Sequence, residues 1–432
     1  MLIAEDFEEA QQQLYSKIRS EGIYSSSRYG DTKRVHNSFV VVKNPDFKDP
    51  LEPDSSGWKL GNRESYLSRI EGLLDIAARK LEEVEFTRRV SLPVWRPWDH
   101  SSSTPPAITE VSCLVVNHAI NLTAFIRSFD VINYFQSNGN FLAYLMEYLV
   151  DKTSYKEGTI GMIIGVPHYY LRDENRLSES QYEEVYGTTP YGTHLKERYL
   201  SSAWHQALHE IYNNGMKKST EWGELFEGQS ESRYIHRLMI EVDETEEHDI
   251  HDKAPFSRDY GVDYAHEYLI CAGYIDKRVE TSILKEGEVY SYAERARYCE
   301  MDDQKVDQLY ESLLKLKKDR WRRDAYVGIS RPWDLDHDDP PCLRGYMFYA
   351  SGKDELTGLF YMRSNDAYGA MHANMFGFNI LTRYVRELTG FNRHKLVHFA
   401  LDAHIYGEFY NSVKDLLYPD MPSFSEEIAS SR

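Results

Sequence analysis

The stretch Asp338–Asp366 reads DDPPCLRGYMFYASGKDELTGLFYMRSND. A lone cysteine follows two prolines, and an Arg-Ser-x-Asp comes some twenty residues later. From Thr104 to Asp130 the chain reads TPPAITEVSCLVVNHAINLTAFIRSFD, the same frame with Ala107 where the cysteine would be. RPWD occurs at Arg96–Asp99 and again at Arg331–Asp334, and Ala107 maps onto Cys342 at the same offset of 235. After one inserted residue the offset is 236: Arg127 maps to Arg363, Ser128 to Ser364, Asp130 to Asp366, Asn138 to Asn374, His168 to His404 and Tyr170 to Tyr406. Polar identities at constant spacing are the mark of a tandem duplication.

The local patterns agree in the two halves. FTRRVSLPVW and RRDAYVGIS, ITEVSCLVV and LRGYMFYA, and LTAFIRS and LTGLFYMRS read as matched pairs of strands rich in β-branched and aromatic residues. NFLAYLMEYLVDKT and NMFGFNILTRYVRELTG carry apolar residues at helical spacing, and GTIGMIIGVPHYY and KLVHFALDAHIYG are strand-like again. Each half is therefore expected to be α+β, a sheet with a long helix against it. The expected division is residues 1–200 and 201–432, with the join near Tyr199–Ala203. EVDETEEHDIHDKAP, with His248 and His251, reads as an exposed acidic loop rather than a metal site.

Composition narrows the class. With 432 residues, 41% hydrophobic and 13% aromatic, the chain can build two packed domains. A formal net charge of −19 opposes binding to a nucleic-acid polymer but not to a small anion met by a few arginines. The four cysteines form no C-x-x-C pair, so neither zinc nor a disulfide framework is expected. The acidic start MLIAEDFEEAQQQLY lacks a basic n-region, and no apolar run is long enough to span a bilayer. These features read as a cytoplasmic protein.

The second half resembles thymidylate synthase and its relatives, the pyrimidine nucleotide hydroxymethylases. PPCLRGYMFY is similar to that family's nucleophile strand, YMRSND to its phosphate and pterin motif, LDAHIYGEFY to its sugar-binding strand and YAHEYLICAG to its glutamate helix. The resemblance covers most of residues 258–412, and its echo covers 84–171. It implies two thymidylate-synthase-like domains pairing within one chain, the first degenerate, so that the chain is a monomer. It implies a pyrimidine nucleotide monophosphate, dUMP, as substrate and 5,10-methylenetetrahydrofolate as one-carbon donor.

The residues fit that chemistry. Carbon 5 of uracil is a poor nucleophile until a thiolate adds to carbon 6. This requires an activated cysteine, Cys342, with Arg363 beside it. By resemblance, Glu267 in a semi-buried setting is the general acid/base and Tyr292 orients the step. Asn374 offers the donor and acceptor that match uracil N3–H and O4. His404 and Tyr406 alternate on one strand and so share a face; by resemblance they bind the sugar. Arg28, Arg88, Arg89, Arg363 and Ser364 are the expected phosphate ligands, and Asp366 the pterin ligand.

The arginine pair is distributed unevenly. TRRVSLPVW keeps Arg88 and Arg89, whereas WRRDAYVG sets Arg323 opposite Arg88 but Asp324 opposite Arg89. The half without the cysteine thus holds the intact pair, as if to donate it across an interface. YIDKRVETSILKEGEV, the residues Gly369, Ala370 and Ala373, and the polar tail SFSEEIASSR depart from the family's folate-binding pattern. Methylation, hydroxymethylation and folate-independent chemistry at carbon 5 therefore stay open, as does a nonenzymatic nucleotide-binding role.

Overall fold

The computed structural model describes residues 1–27, 29–45, 59–60, 64–219, 231–271, 290–301 and 304–419. Arg28, residues 274–289 and the tail from 420 lie outside them.

Two mixed sheets carry the chain. The first orders its strands Leu2–Ala4, Ser38–Val42, Lys156–Tyr170, Ala119–Asp130, Ile108–Val116 and Ser91–Pro93. The second runs Gly192–Tyr199, Glu231–Glu244, Arg393–Tyr406, Glu355–Met362, Leu343–Ala350 and Tyr326–Gly328. Neighbours alternate identically in both: parallel, antiparallel, parallel, antiparallel, antiparallel. The long helices Phe135–Asp151 and Met371–Thr389 take matching places. The expected α+β halves are thus present, with corrections at the edges. The strand Gly192–Tyr199 lies in the second sheet, paired in parallel with Leu238–Glu244, so the chain changes sheet before the expected boundary at 200. Residues 86–95 form only the short strand Ser91–Pro93, because Arg88 and Arg89 turn toward the other half. The acidic segment is not simply a loop: Glu241–Glu244 ends a strand, the His251 amide donates to His372 Nε2 at 2.9 Å, and the His251 ring packs on Trp204.

The strands read as near-continuous apolar runs because each sheet is buried on both faces. One face packs on helices, forming a core within each half. The other face meets the partner sheet in a third core that includes Phe39, Phe125, Ile163, Met347, Tyr361 and Phe399. Phe125 and Tyr361, counterparts in the repeat, stack on each other with centroids 5.2 Å apart and planes 9° from parallel. Such self-complementary contact is how a two-fold dimer packs, here realised inside one chain. Arg344 bonds Glu110 at 2.6 Å across this interface, both side chains 1% exposed. Among the described residues, no helix is long and apolar enough to cross a membrane.

Candidate active site

The repeated Arg-Ser-x-Asp is first of all architecture. The Arg363 amide donates to the Cys342 carbonyl at 2.8 Å, and its guanidinium donates to the carbonyls of Pro341 at 3.1 Å, Arg88 at 3.0 Å and Pro340. Arg127 repeats this on Ala107, Pro106, Arg323 and Pro105. The two prolines hold their carbonyls in place for the guanidinium fork, and the fork ties in the strand from the other half. Asp366 accepts from the amides of Tyr368 at 3.1 Å and Gly369 at 3.0 Å, a local turn cap, as Asp130 does for Ile132 and Asn133. The motif persists in the half lacking the cysteine because the fold needs it there too. Arg363 is therefore largely spent on backbone carbonyls, and Asp366 on amides.

Cys342 opens onto a cavity of about 850 Å³. Its walls bring together most of the expected residues: Arg88 and Arg89 from the first half, and Arg363, Ser364, Asp366, Asn374, His404, Tyr406 and Tyr292 from the second. Arg88 spans the halves. Its Nη1 donates to His404 Nε2 at 2.8 Å, its Nη2 to the Tyr406 hydroxyl at 3.3 Å, and it lies 3.9 Å from the Asp402 carboxylate. Burial works most strongly against the Arg88 charge, but Asp402, Tyr406 and Cys342 together outweigh it and leave the pKa raised. Burial, then Arg88, pushes His404 down to about 4, so it is neutral at pH 7. Neutral His404 can then donate from Nδ1 to Asp402 Oδ1 at 2.8 Å while accepting from Arg88. Asp402 also pairs with buried Lys218; burial opposes its charge, yet Lys218 and His404 hold its carboxyl well below the usual range.

One wall of the cavity is aromatic. Tyr260, Tyr264 and Tyr268 recur at four-residue spacing on one helical face and line the cavity with Tyr290 and Tyr292. The Tyr264 hydroxyl donates to Asn374 Oδ1 at 2.8 Å. Burial, then Cys342, raises the pKa of Tyr292, whose hydroxyl accepts from the Leu343 amide at 3.4 Å. Gly377 permits this packing: a Cβ there would come within 2.8 Å of the Tyr264 ring.

Glu267 departs from expectation. It is exposed and does not line the cavity. It sits in a π-helical turn, Ala265–Ile270, directly after the α-helix Arg258–Tyr264. From this segment and the helix before it, Tyr260, Tyr264 and Tyr268 line the cavity. Arg28 lies outside the described residues; the strand Ile23–Ser27 pairs with Gly30–Arg34, which pairs with the strand bearing His168 and Tyr170.

The first half builds the same frame. Buried Tyr66 accepts from the Ala107 amide at 3.1 Å and packs against Phe141 at 5.1 Å. Phe141 is the counterpart of Gly377, so its ring stands where the second half packs Tyr264 and Leu269. Tyr66 with Arg69 on Asp99 mirrors Tyr292 with Arg295 on Asp334, a Tyr-x-x-Arg repeat that sequence inspection could have found. Tyr264, Lys218 and Asp402 were also missed; only the tyrosine spacing and the Asp-x-His alternation signalled them.

Comparison with known proteins places this architecture. The family model for thymidylate synthase matches residues 245–426. A putative thymidylate synthase of Methanococcoides burtonii is 26% identical over 228 residues, 52% of this chain and 95% of that protein. The thymidylate synthase of Saccharomyces cerevisiae is 30% identical over 165 residues, 34% of this chain and 53% of the yeast protein. Among solved structures, the thermostable thymidylate synthase A of Bacillus subtilis aligns with a TM-score of 0.40 at 16% identity, covering 51% of this chain and 84% of that one. The second half is thus similar to thymidylate synthases, by the family model over residues 245–426 and by these relatives.

Proposed function

We propose that the protein transfers a one-carbon unit to carbon 5 of a pyrimidine deoxynucleotide monophosphate, dUMP, through a covalent adduct at Cys342. The observation that carries this is Cys342 sharing one cavity with Asn374, His404 and the Arg88–Arg89 pair of the other half. The Cys342 thiolate adds to carbon 6, and the ring electrons move onto carbon 5 and O4. Asn374 reads N3–H and O4, with its oxygen already oriented by Tyr264. Arg88 and Arg89 neutralise the phosphate; each charge-assisted bond contributes about 1.5–3 kcal/mol. The protonated phenols of Tyr264 and Tyr292 are placed to hold water for proton transfer at the ring. In this reading, the chain is a tandem duplication whose first domain supplies arginines rather than a second reaction centre.

The cavity suits a folate beside the nucleotide. Its volume lies in the upper part of the range of about 300–1,000 Å³ for small-molecule sites. The tyrosine wall offers a flat apolar face, and Asp366, whose pKa burial raises, stands at the rim. Tyr260, Tyr268 and Asp366 would hold methylenetetrahydrofolate, which supplies the one-carbon unit when bound. Product mass separates 5-methyl from 5-hydroxymethyl.

The test is tritium release from [5-³H]dUMP, with and without methylenetetrahydrofolate and with dCMP as control. Folate-dependent release that Cys342→Ala abolishes is the expected result. Folate-independent release would keep the adduct and change the reaction class. Nucleotide binding with no release would make the protein a nucleotide-binding regulator.

A further inference from the structure

The two halves differ sharply in buried charge. In the second half, Asp402 accompanies Arg88, His404 and Lys218. Its counterpart in the first half is Val166, which is apolar and fully buried. The cations around Val166 nevertheless remain. Arg34 pairs in register with His168 across the sheet and is 1% exposed. It donates to the carbonyls of Ala350 at 2.9 Å and Trp321 at 3.3 Å, and its face lies 4.3 Å from the Trp321 ring. Its Nε is buried without a hydrogen-bond partner. Arg323 reaches in from the other half, as Arg88 does at the opposite site, and donates from Nη2 to the Tyr170 hydroxyl at 3.3 Å. Its Nη1 is likewise buried without a partner. Exposed Arg172 stands over the Tyr170 ring at 4.4 Å and forms the outer rim.

Countercharge is scarce. Asp324 is held by Arg322 at 2.7 Å and Lys315 at 3.2 Å, and Asp173 stands 3.8 Å from Arg172. Among the described residues, neither Arg34 nor Arg323 has a carboxylate at ion-pair distance. Burial chiefly draws the Arg34 guanidinium down to about 9, with Arg323 adding to the effect and Asp319 opposing it. An enclosed cationic N–H without an acceptor is costly, and a ligand carrying negative charge offsets that cost.

We propose that this first-half cluster binds a phosphate group, either inorganic phosphate or the phosphate of a small ester, between Arg323, Arg34 and Arg172. The unpartnered N–H groups of Arg34 and Arg323 supply directional donors, and Arg172 closes the rim. The proposal does not depend on the reaction assigned to Cys342.

Calorimetric titration of the full chain tests it, in an Arg88→Gln background that disables phosphate binding at the other site. Orthophosphate should bind this protein at one site per chain. Adding Arg323→Gln should weaken that binding at least about tenfold, the effect of losing one charge-assisted bond. Arg172→Gln, at an exposed position that does not threaten folding, should weaken it several-fold. Parallel titration with deoxyribose 5-phosphate assigns the source: tighter binding than orthophosphate identifies an ester, weaker binding the free anion. Absence of orthophosphate binding in the Arg88→Gln protein overturns the proposal. So does binding that neither Arg323→Gln nor Arg172→Gln alters.

Discussion

Asp402→Asn is the most demanding test of how the catalytic half is held together. The substitution preserves shape and removes one charge. Asp402 is fully buried, and its carboxylate serves Lys218, at 3% side-chain exposure, and Arg88, at 14%. Removing the carboxylate leaves two enclosed cations without a countercharge, and breaking such a buried pair costs about 3–5 kcal/mol. A chain of 432 residues has an unfolding entropy of about 0.9 kcal/mol/K near its midpoint if it unfolds cooperatively. The melting temperature at pH 7 should therefore fall by about 3–5 °C. The folded-state pKa of Asp402 lies below its unfolded value, so its stabilisation is complete above the unfolded pKa. It is lost as pH falls through the folded pKa, and the gap between wild type and variant should close in strong acid. Adding dUMP, whose phosphate supplies negative charge, should restore more stability to the variant than to the wild type. The assay is differential scanning calorimetry at pH 7 and at stepwise lower pH. A shift under about 1 °C at pH 7 would refute the claim that Asp402 neutralises the buried cations.

Tyr264→Phe removes the donor that fixes the Asn374 amide; equilibrium titration should show the preference for dUMP over dCMP falling by about tenfold, and an unchanged ratio would mean that Tyr264 does not orient the amide. Glu267→Gln should lower tritium release by less than tenfold, since Glu267 is exposed and is not among the residues that line the cavity; a loss above a hundredfold would show that the carboxylate reaches the ring when ligand binds. Ala107→Cys restores the missing sulfur to the first half, but Asp324 still stands opposite Arg89 and Val166 opposite Asp402, so mass spectrometry with a dUMP analogue that traps the adduct should find one modified cysteine per chain, Cys342.

Much of this protein was legible in one dimension. The repeat, the α+β character of each half and the Pro-Pro-Cys frame follow from local pattern and spacing, because strand and helix periodicities and proline geometry act over a few residues. The uneven split of the arginine pair likewise pointed to Arg88 crossing to the other half. What Arg363 and Asp366 do was not legible: their partners are carbonyls and amides fixed only once the strands are paired. That Glu267 is exposed and absent from the cavity wall was announced by no side-chain pattern. The charge difference between the halves, Asp402 against Val166, was visible as letters, but its meaning required knowing that Arg88 and Arg323 come from positions more than 150 residues away. The packing of Tyr66 against Phe141 in the first half depends on ring against ring across separate elements. Contacts of such sequence separation belong to the tertiary structure, where burial sets the strength of every charge and the volume left for a ligand.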